Sequence, residues 1–291
     1  MSVSHTVDLS TCKKCHVCAG ICPAGIILAD DKARFLNNRV HLCIRCGQCM
    51  AACPAKAISI EGLSYEKDFF ELPQRQEAWQ EAFFGLISTR RSIRSFQDKP
   101  VPRDLLEKIV RAISFAPPGI TPPTVELTVV SNRELIRGAV PLMAEMYGRL
   151  LNMQANPFMR PVFRLMVGRE TYQVLNEHVL PLMKVRMPGL IAGTGDTIAR
   201  GAPAMILFHA PVHNEDTFIA LAFGLLAAHS LGLGACAIGL IPPAVSRNPQ
   251  LKKLFHIPAN NNVLASMVLG YPKYKYSRGI KRSPASLTWI E

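Results

Sequence analysis

The sequence predicts an α+β protein in two parts, a small duplicated module followed by a larger domain of mixed helices and strands. Two observations carry that expectation. Eight of the nine cysteines fall within residues 12–53, where one motif is written twice. Beyond them, helical periodicities and β-rich runs share one chain, and no G-x-G-x-x-G follows a strand to suggest a nicotinamide-binding Rossmann domain. The boundaries expected are 1–62 for the module, 63–85 for a linker and connecting helix, and 86–291 for the large domain. A hydrophobic fraction of 49% with 19% charged residues fits a globular chain with a well-filled core.

The repeat comes first in the chain. Residues 12–23 read Cys-Lys-Lys-Cys-His-Val-Cys-Ala-Gly-Ile-Cys-Pro, and residues 43–54 read Cys-Ile-Arg-Cys-Gly-Gln-Cys-Met-Ala-Ala-Cys-Pro. Each cysteine recurs at an offset of 31, as do Pro23/Pro54, Ala24/Ala55 and Ile27/Ile58, which marks an internal duplication. Three thiolates at x2 spacing sit on one tight loop that can wrap three irons of a cubane, while a fourth, followed by proline, points away. Structural zinc is the alternative, but zinc motifs supply separated pairs rather than triplets with a trailing Cys-Pro.

This pattern resembles the bacterial two-cluster ferredoxins over residues 8 to about 62. In that family each fourth cysteine ligates the opposite cluster. The resemblance implies one 4Fe–4S cluster on Cys12, Cys15, Cys18 and Cys53, and a second on Cys22, Cys43, Cys46 and Cys49. It also implies one-electron transfer. The ninth thiol, Cys236, lies in an apolar run and is expected in the core.

The formal net charge of +12 raises nucleic-acid binding as a possibility. No run of four or more Lys/Arg supports it. Two clusters at roughly −2 each would offset part of that charge. The 24-residue stretch Phe218 to Ile241 has only His229 and Ser230 as polar residues, long enough to span a bilayer. Glycines at 224, 232, 234 and 239, then Pro242-Pro243, point instead to a buried helix over 217–231, a stop at Gly232 and a strand over 235–240. Neither nucleic acid nor membrane is expected as a partner. Sparse cysteines and no evident signal peptide give a cytoplasmic expectation.

Residues 63–76 read as a linker ending near Pro73. A helix is expected from Gln74 to about Ser88 with Trp79, Phe83, Leu86 and Ile87 on one face. It leads into Arg90, Arg91, Ser92 and Arg94, three guanidinium groups and a hydroxyl suited to phosphate. An amphipathic helix over 102–115, a Pro117-Pro118-Gly119 break and a β-rich stretch over 125–131 follow.

This order resembles the nitroreductase family of FMN flavoproteins. Gly195 to Pro203 before a strand at 204–210, the glycine-rich Leu231 to Leu240, and Leu269-Gly270-Tyr271-Pro272 with Lys281-Arg282 extend the likeness over residues 86–285. It implies a mixed, antiparallel-rich sheet wrapped by helices, and a homodimer with FMN at the subunit interface, for which the 217–231 helix is the candidate shared core. It implies Arg90, Arg91 and Ser92 on the FMN phosphate and ribityl chain, and Arg282 closing on the phosphate. Arg94 would lie near the N1–C2=O edge of the flavin, where a cation raises the potential. Ile238 and Gly239 would offer backbone groups to the ring. The family's flavin-contacting asparagine is replaced here by Thr121, which keeps one hydroxyl contact.

Seven of eleven methionines fall in residues 143–190, a stretch suited to a lid over the flavin or to dimer and core packing. His209, His213 and Glu215 are read as a buried strand end and loop rather than a metal site. The function expected is an FMN-dependent oxidoreductase, with the flavin as the reactive group. Electrons from reduced ferredoxin or a similar donor would pass through both clusters to a nitroaromatic, quinone or activated alkene. The alternative is an electron-transfer or redox-sensing protein that acts on a protein partner.

Overall fold

The computed structural model describes residues 5–119, 124–213 and 215–291. The chain divides into two compact units, one built on Met1–Glu77 and one on Ala78–Pro117 with Thr124–Glu291.

The first unit pairs β1 (Thr6–Val7) with β4 (Ile58–Ser59), and β2 (Ile27–Ala29) with β3 (Ala33–Phe35), all antiparallel. Short helices α1 (Val17–Ile21) and α2 (Gln48–Ala51) begin inside the two cysteine motifs. The duplication extends to the backbone: the left-handed pairs Lys14 and Arg45, His16 and Gly47, Gly25 and Lys56 repeat at the same offset as the cysteines. Four of these six residues carry a β-carbon, which disfavours such a conformation by roughly 1 kcal/mol each. The chain accepts that strain to fold back around its thiols. Helix α3 (Tyr65–Asp68) lies in the expected linker, but Leu63, Tyr65 and Phe69 pack onto Met50, Ile58 and Ile60, so this strap is part of the unit.

The second unit opens with α4 (Ala78–Thr89), four residues later than expected, because Gln74–Glu77 are polar and exposed. Helix α5 (Arg103–Ile113) and β5 (Glu126–Val130) follow. A helical excursion then runs through α6 (Arg133–Ala155), α7 (Met159–Val167), α8 (Arg169–Val174) and α9 (Leu180–Ile191). The rest is β6 (Ala204–Ala210), α10 (Asp216–Ser230), β7 (Gly234–Ala237), α11 (Ile241–Ser246), α12 (Pro249–Leu254) and β8 (Asn262–Gly270).

The four long strands form an antiparallel sheet in the order β5-β6-β8-β7. All seven residues of β6 are buried, as a central strand covered on both faces must be. Alternation along it divides the core: Met205 and Leu207 face one cluster with α6, α9, α11 and α12, while Ala204, Ile206 and Phe208 face α5 and α10. The sheet becomes mixed at its edge, where Ser92 bridges Ala235 in parallel. Gly234 permits this approach, since a β-carbon there would lie 2.6 Å from Ile93 Cβ. Gly232, at φ +75°, ends α10 as expected. Among the described residues, no helix is long and apolar enough to cross a membrane.

The methionine-rich stretch is divided. Met143 and Met183 are fully buried in the α6/α9 core, Met146 and Met187 pack against it, and Met159 and Met166 are exposed. On α4 the expected apolar face is only half covered: Trp79 and Phe83 are about half exposed at 45% and 52%, and Leu86 is intermediate.

Candidate functional site

In the first unit the thiols sort into two groups of four. Cys12, Cys15, Cys18 and Cys53 line one cavity, and Cys22, Cys43, Cys46 and Cys49 line another. Each motif gives three cysteines to one cavity and its fourth to the other. Apolar side chains complete both walls, Ala33, Ala57 and Ile58 around the first and Ile26, Ile44 and Ile60 around the second. This setting suppresses the bare thiolates. Burial pushes Cys49 up to about 12, with Cys22, Cys43 and Cys46 adding repulsion. Burial also raises Cys18 and Cys43. Such a donor set ionises when a cationic iron group supplies the counter-charge, and the soft sulfur ligands suit iron–sulfur chemistry. Cys53 Sγ also accepts a hydrogen bond from the Ala57 N–H at 3.3 Å. Cys236, by contrast, is buried on β7.

In the second unit the basic segment lies against β7. The Ile93 N–H donates to the Ala235 carbonyl at 3.0 Å, which together with the Ser92 bridge fixes residues 90–94 along the sheet edge. Arg91 Nη1 donates to the Ser88 and Arg90 carbonyls at 2.8 and 2.6 Å, capping the end of α4. Its Nε is buried with no partner among the described residues, an unmet donor that fits an oxyanion. A β-carbon at Gly279 would sit 3.1 Å from Arg91 Nη2, so the chain after β8 passes against this guanidinium. Arg282, three residues on, is exposed, as is Arg94. Thr121 lies outside the described residues.

Ile238 follows β7. Its N–H donates to the Ser266 carbonyl at 3.1 Å, and its carbonyl accepts from Ser266 Oγ at 2.7 Å. Gly239 has no atom within 4 Å of the place a β-carbon would occupy, which leaves room for a planar ring. Nearby, Tyr147 Oη donates to the Leu240 carbonyl at 2.7 Å, and burial pushes its pKa well up.

Two residues join this site that spacing alone does not identify. His229 Nε2 meets Thr89 Oγ1 at 2.9 Å, and burial, then Arg90 and Arg91, hold its pKa below the usual histidine value. It was visible only as a polar interruption in the apolar run. Arg200 sits in the left-handed region at φ +61° with its Nε buried and unpartnered among the described residues. At the far end of the sheet, His209 Nδ1 accepts from Asn261 Nδ2 at 2.9 Å and Nε2 faces Thr128 Oγ1 at 3.2 Å, so its ring is tied into the fold; His213 is exposed.

Comparison with known proteins matches this division. The Nitroreductase family profile covers residues 87–271, and the 4Fe-4S dicluster domain profile covers residues 11–58. A Methanothermobacter thermautotrophicus protein named NADH dehydrogenase/NAD(P)H nitroreductase is 28% identical over 186 residues, 64% of this chain and 75% of that one. The FMN reductase [NAD(P)H] of Bacillus subtilis is 29% identical over 189 residues, and the match spans 64% of each chain. The solved structure of a Bacteroides fragilis nitroreductase with bound FMN superposes with a TM-score of 0.53 at 19% identity, covering 75% of this chain and all of that one, which shows the shared fold.

Proposed function

Because the chain belongs to the nitroreductase family and carries a 4Fe–4S dicluster domain ahead of it, we propose that it is an oxidoreductase linking a one-electron donor to a small organic acceptor. Electrons enter from a low-potential donor such as reduced ferredoxin, pass through two 4Fe–4S clusters to FMN, and leave to a nitroaromatic, quinone or activated alkene. The carrying observation is the sorting of eight thiols into two four-thiol cavities, each completed by the fourth cysteine of the other motif. When bound, the clusters exchange single electrons, and FMN stores two and releases them as a hydride or as electrons with protons.

The chain's own residues take defined parts. Cys12, Cys15, Cys18 and Cys53 hold one cluster and Cys22, Cys43, Cys46 and Cys49 the other, losing their protons as they bind. The free Nε of Arg91 supports a phosphate site shared with Arg90 and Ser92, and Arg282 adds charge from the tail that passes Arg91. Arg94 supplies positive charge against that of the reduced ring. Ile238 and Gly239 border the ring, and Thr121 adds a hydroxyl. The half-covered apolar faces of α4 (Trp79, Phe83) and α10 (Phe218, at 52% exposure, and Ile219) support a homodimer.

The test is steady-state turnover. With reduced ferredoxin as donor, the reconstituted protein should reduce a naphthoquinone or a nitrobenzoate faster than an equal concentration of free FMN. A rate no greater than that of free FMN defeats the reading.

A further inference from the structure

Another cavity opens on the helical excursion, and it shares no residue with the thiol cavities or with the arginine segment on β7. Its volume is about 450 Å³, a size suited to a small molecule. Arg160 and Arg164 of α7 and Arg169 of α8 line it, and Pro161, Leu165 and the Tyr172 ring give it apolar walls. Among the described residues no carboxylate lines it, and none of the three arginines forms an ion pair.

Gln154, at the end of α6, holds the frame together. Its carbonyl accepts from Arg160 Nε at 3.2 Å, and its Oε1 accepts from Tyr172 Oη at 3.0 Å. Its Nε2 donates to Asn176 Oδ1 at 2.5 Å. The bond to Arg160 uses Nε alone, so the two terminal amino groups of that guanidinium stay available. Tyr172 also packs edge-on against the fully buried Phe163, with ring centroids 5.7 Å apart. Gly168 joins α7 to α8 at φ +80° and ψ 158°, a region open in practice to glycine only. That turn brings Arg169 to the same cavity as Arg160 and Arg164. A π-helical turn over Leu175–Val179 follows Tyr172, and such turns recur at functional sites.

This is more than a solvated basic face. Arg160 and Arg164 stand one helical turn apart, where like charges destabilise a helix, and Arg169 adds a third. Guanidinium forks bind phosphate oxygens in bidentate pairs. A single carboxylate balances one of three charges, whereas a phosphate ester of two or more charges matches the set. The apolar walls call for an organic body, and the fixed Tyr172 ring for a planar one.

We propose that this cavity binds an organic phosphate that carries two or more negative charges on a planar body, with a nucleotide as the simplest case. The proposal goes beyond the oxidoreductase reading and does not depend on it.

ADP, inorganic pyrophosphate and adenosine separate its parts, titrated by calorimetry into the full chain with excess FMN present. The native protein should bind ADP at least roughly ten-fold more tightly than either adenosine or pyrophosphate. Arg164→Gln and Arg169→Gln, both at exposed positions, should each weaken ADP binding roughly ten-fold, with FMN affinity and circular dichroism unchanged. Failure of the native protein to bind ADP overturns the proposal, as does adenosine binding of equal strength. ADP binding that survives the double variant places the nucleotide elsewhere and overturns it too. Pyrophosphate that binds as tightly as ADP overturns the planar body. Co-sedimentation with vesicles of phosphatidylcholine and phosphatidic acid, lost in the double variant and without ADP binding, would assign the arginines to a lipid headgroup and contradict the proposal.

Discussion

The two units differ in what fills their centres. The second is closed by its own side chains, with β6 buried along its whole length between two apolar layers. The first has two small clusters, Ile26, Ile27 and Ala33 in one and Met50, Ile58 and Ile60 in the other, and both end on cysteine side chains. Where the second unit has leucine and phenylalanine, the first has thiols around two cavities. The prosthetic groups of the first unit therefore stand in for core, while those of the second are guests on a finished scaffold. A unit of this size with so little apolar burial needs such a staple.

The largest expected effect separates the units directly. Stripping iron from the holoprotein with a chelator should abolish amide-exchange protection across residues 5–77 and leave β6 and β8 protected. Protection retained in the first unit after iron loss would erase the contrast.

Within the second unit, scaffold and guest can be told apart. Gly234→Ala and Gly270→Ala each place a β-carbon 2.6 Å from a neighbour, Ile93 and Pro203 respectively. Each should lower stability by about 1–3 kcal/mol in thermal melts. Only Gly234→Ala should also weaken FMN binding, because Ile93 anchors the arginine segment. Equal loss of FMN from both variants would mean that the site is not local to β7.

Arg91→Gln tests the guest alone. Losing one charge-assisted contact should raise the FMN dissociation constant roughly 10- to 100-fold, read by fluorescence titration, with the iron content unchanged. An unaltered FMN affinity would leave Arg91 as a helix cap only.

The smallest effect concerns the far end of the sheet. Burial holds His209 below its ordinary value, opposed by Glu126. The unfolded chain then takes up a proton that the folded chain refuses as pH falls through about 6.5. The contribution is therefore full above that pH and lost below it. His209→Gln should flatten the fall in melting temperature between pH 7 and pH 5.5; an unchanged fall would show that His209 carries none of it.

The same contrast explains what the sequence revealed. Each cysteine motif lies within twelve consecutive residues, so spacing alone exposed the donors. The crossing of the fourth cysteines came from family resemblance, because the left-handed turns at Lys14, Arg45 and Lys56 that fold each loop have no signature of their own. The arginine segment was legible for the same local reason. His229 and Arg200 were not, since His229 meets Thr89 across 140 residues of chain and only packing around β7 brings such pairs together. The strap at 63–69 departed from expectation because its packing onto Met50, Ile58 and Ile60 is a tertiary contact that no periodicity encodes, and α4 starts late because Gln74–Glu77 are polar and exposed.

The most direct test of the account is the cofactor content of the anaerobically purified chain. It should carry about 8 iron atoms and as many acid-labile sulfides, as two cubanes require, together with about one FMN per chain. A colourless chain holding zinc, with neither labile sulfide nor flavin, would contradict it.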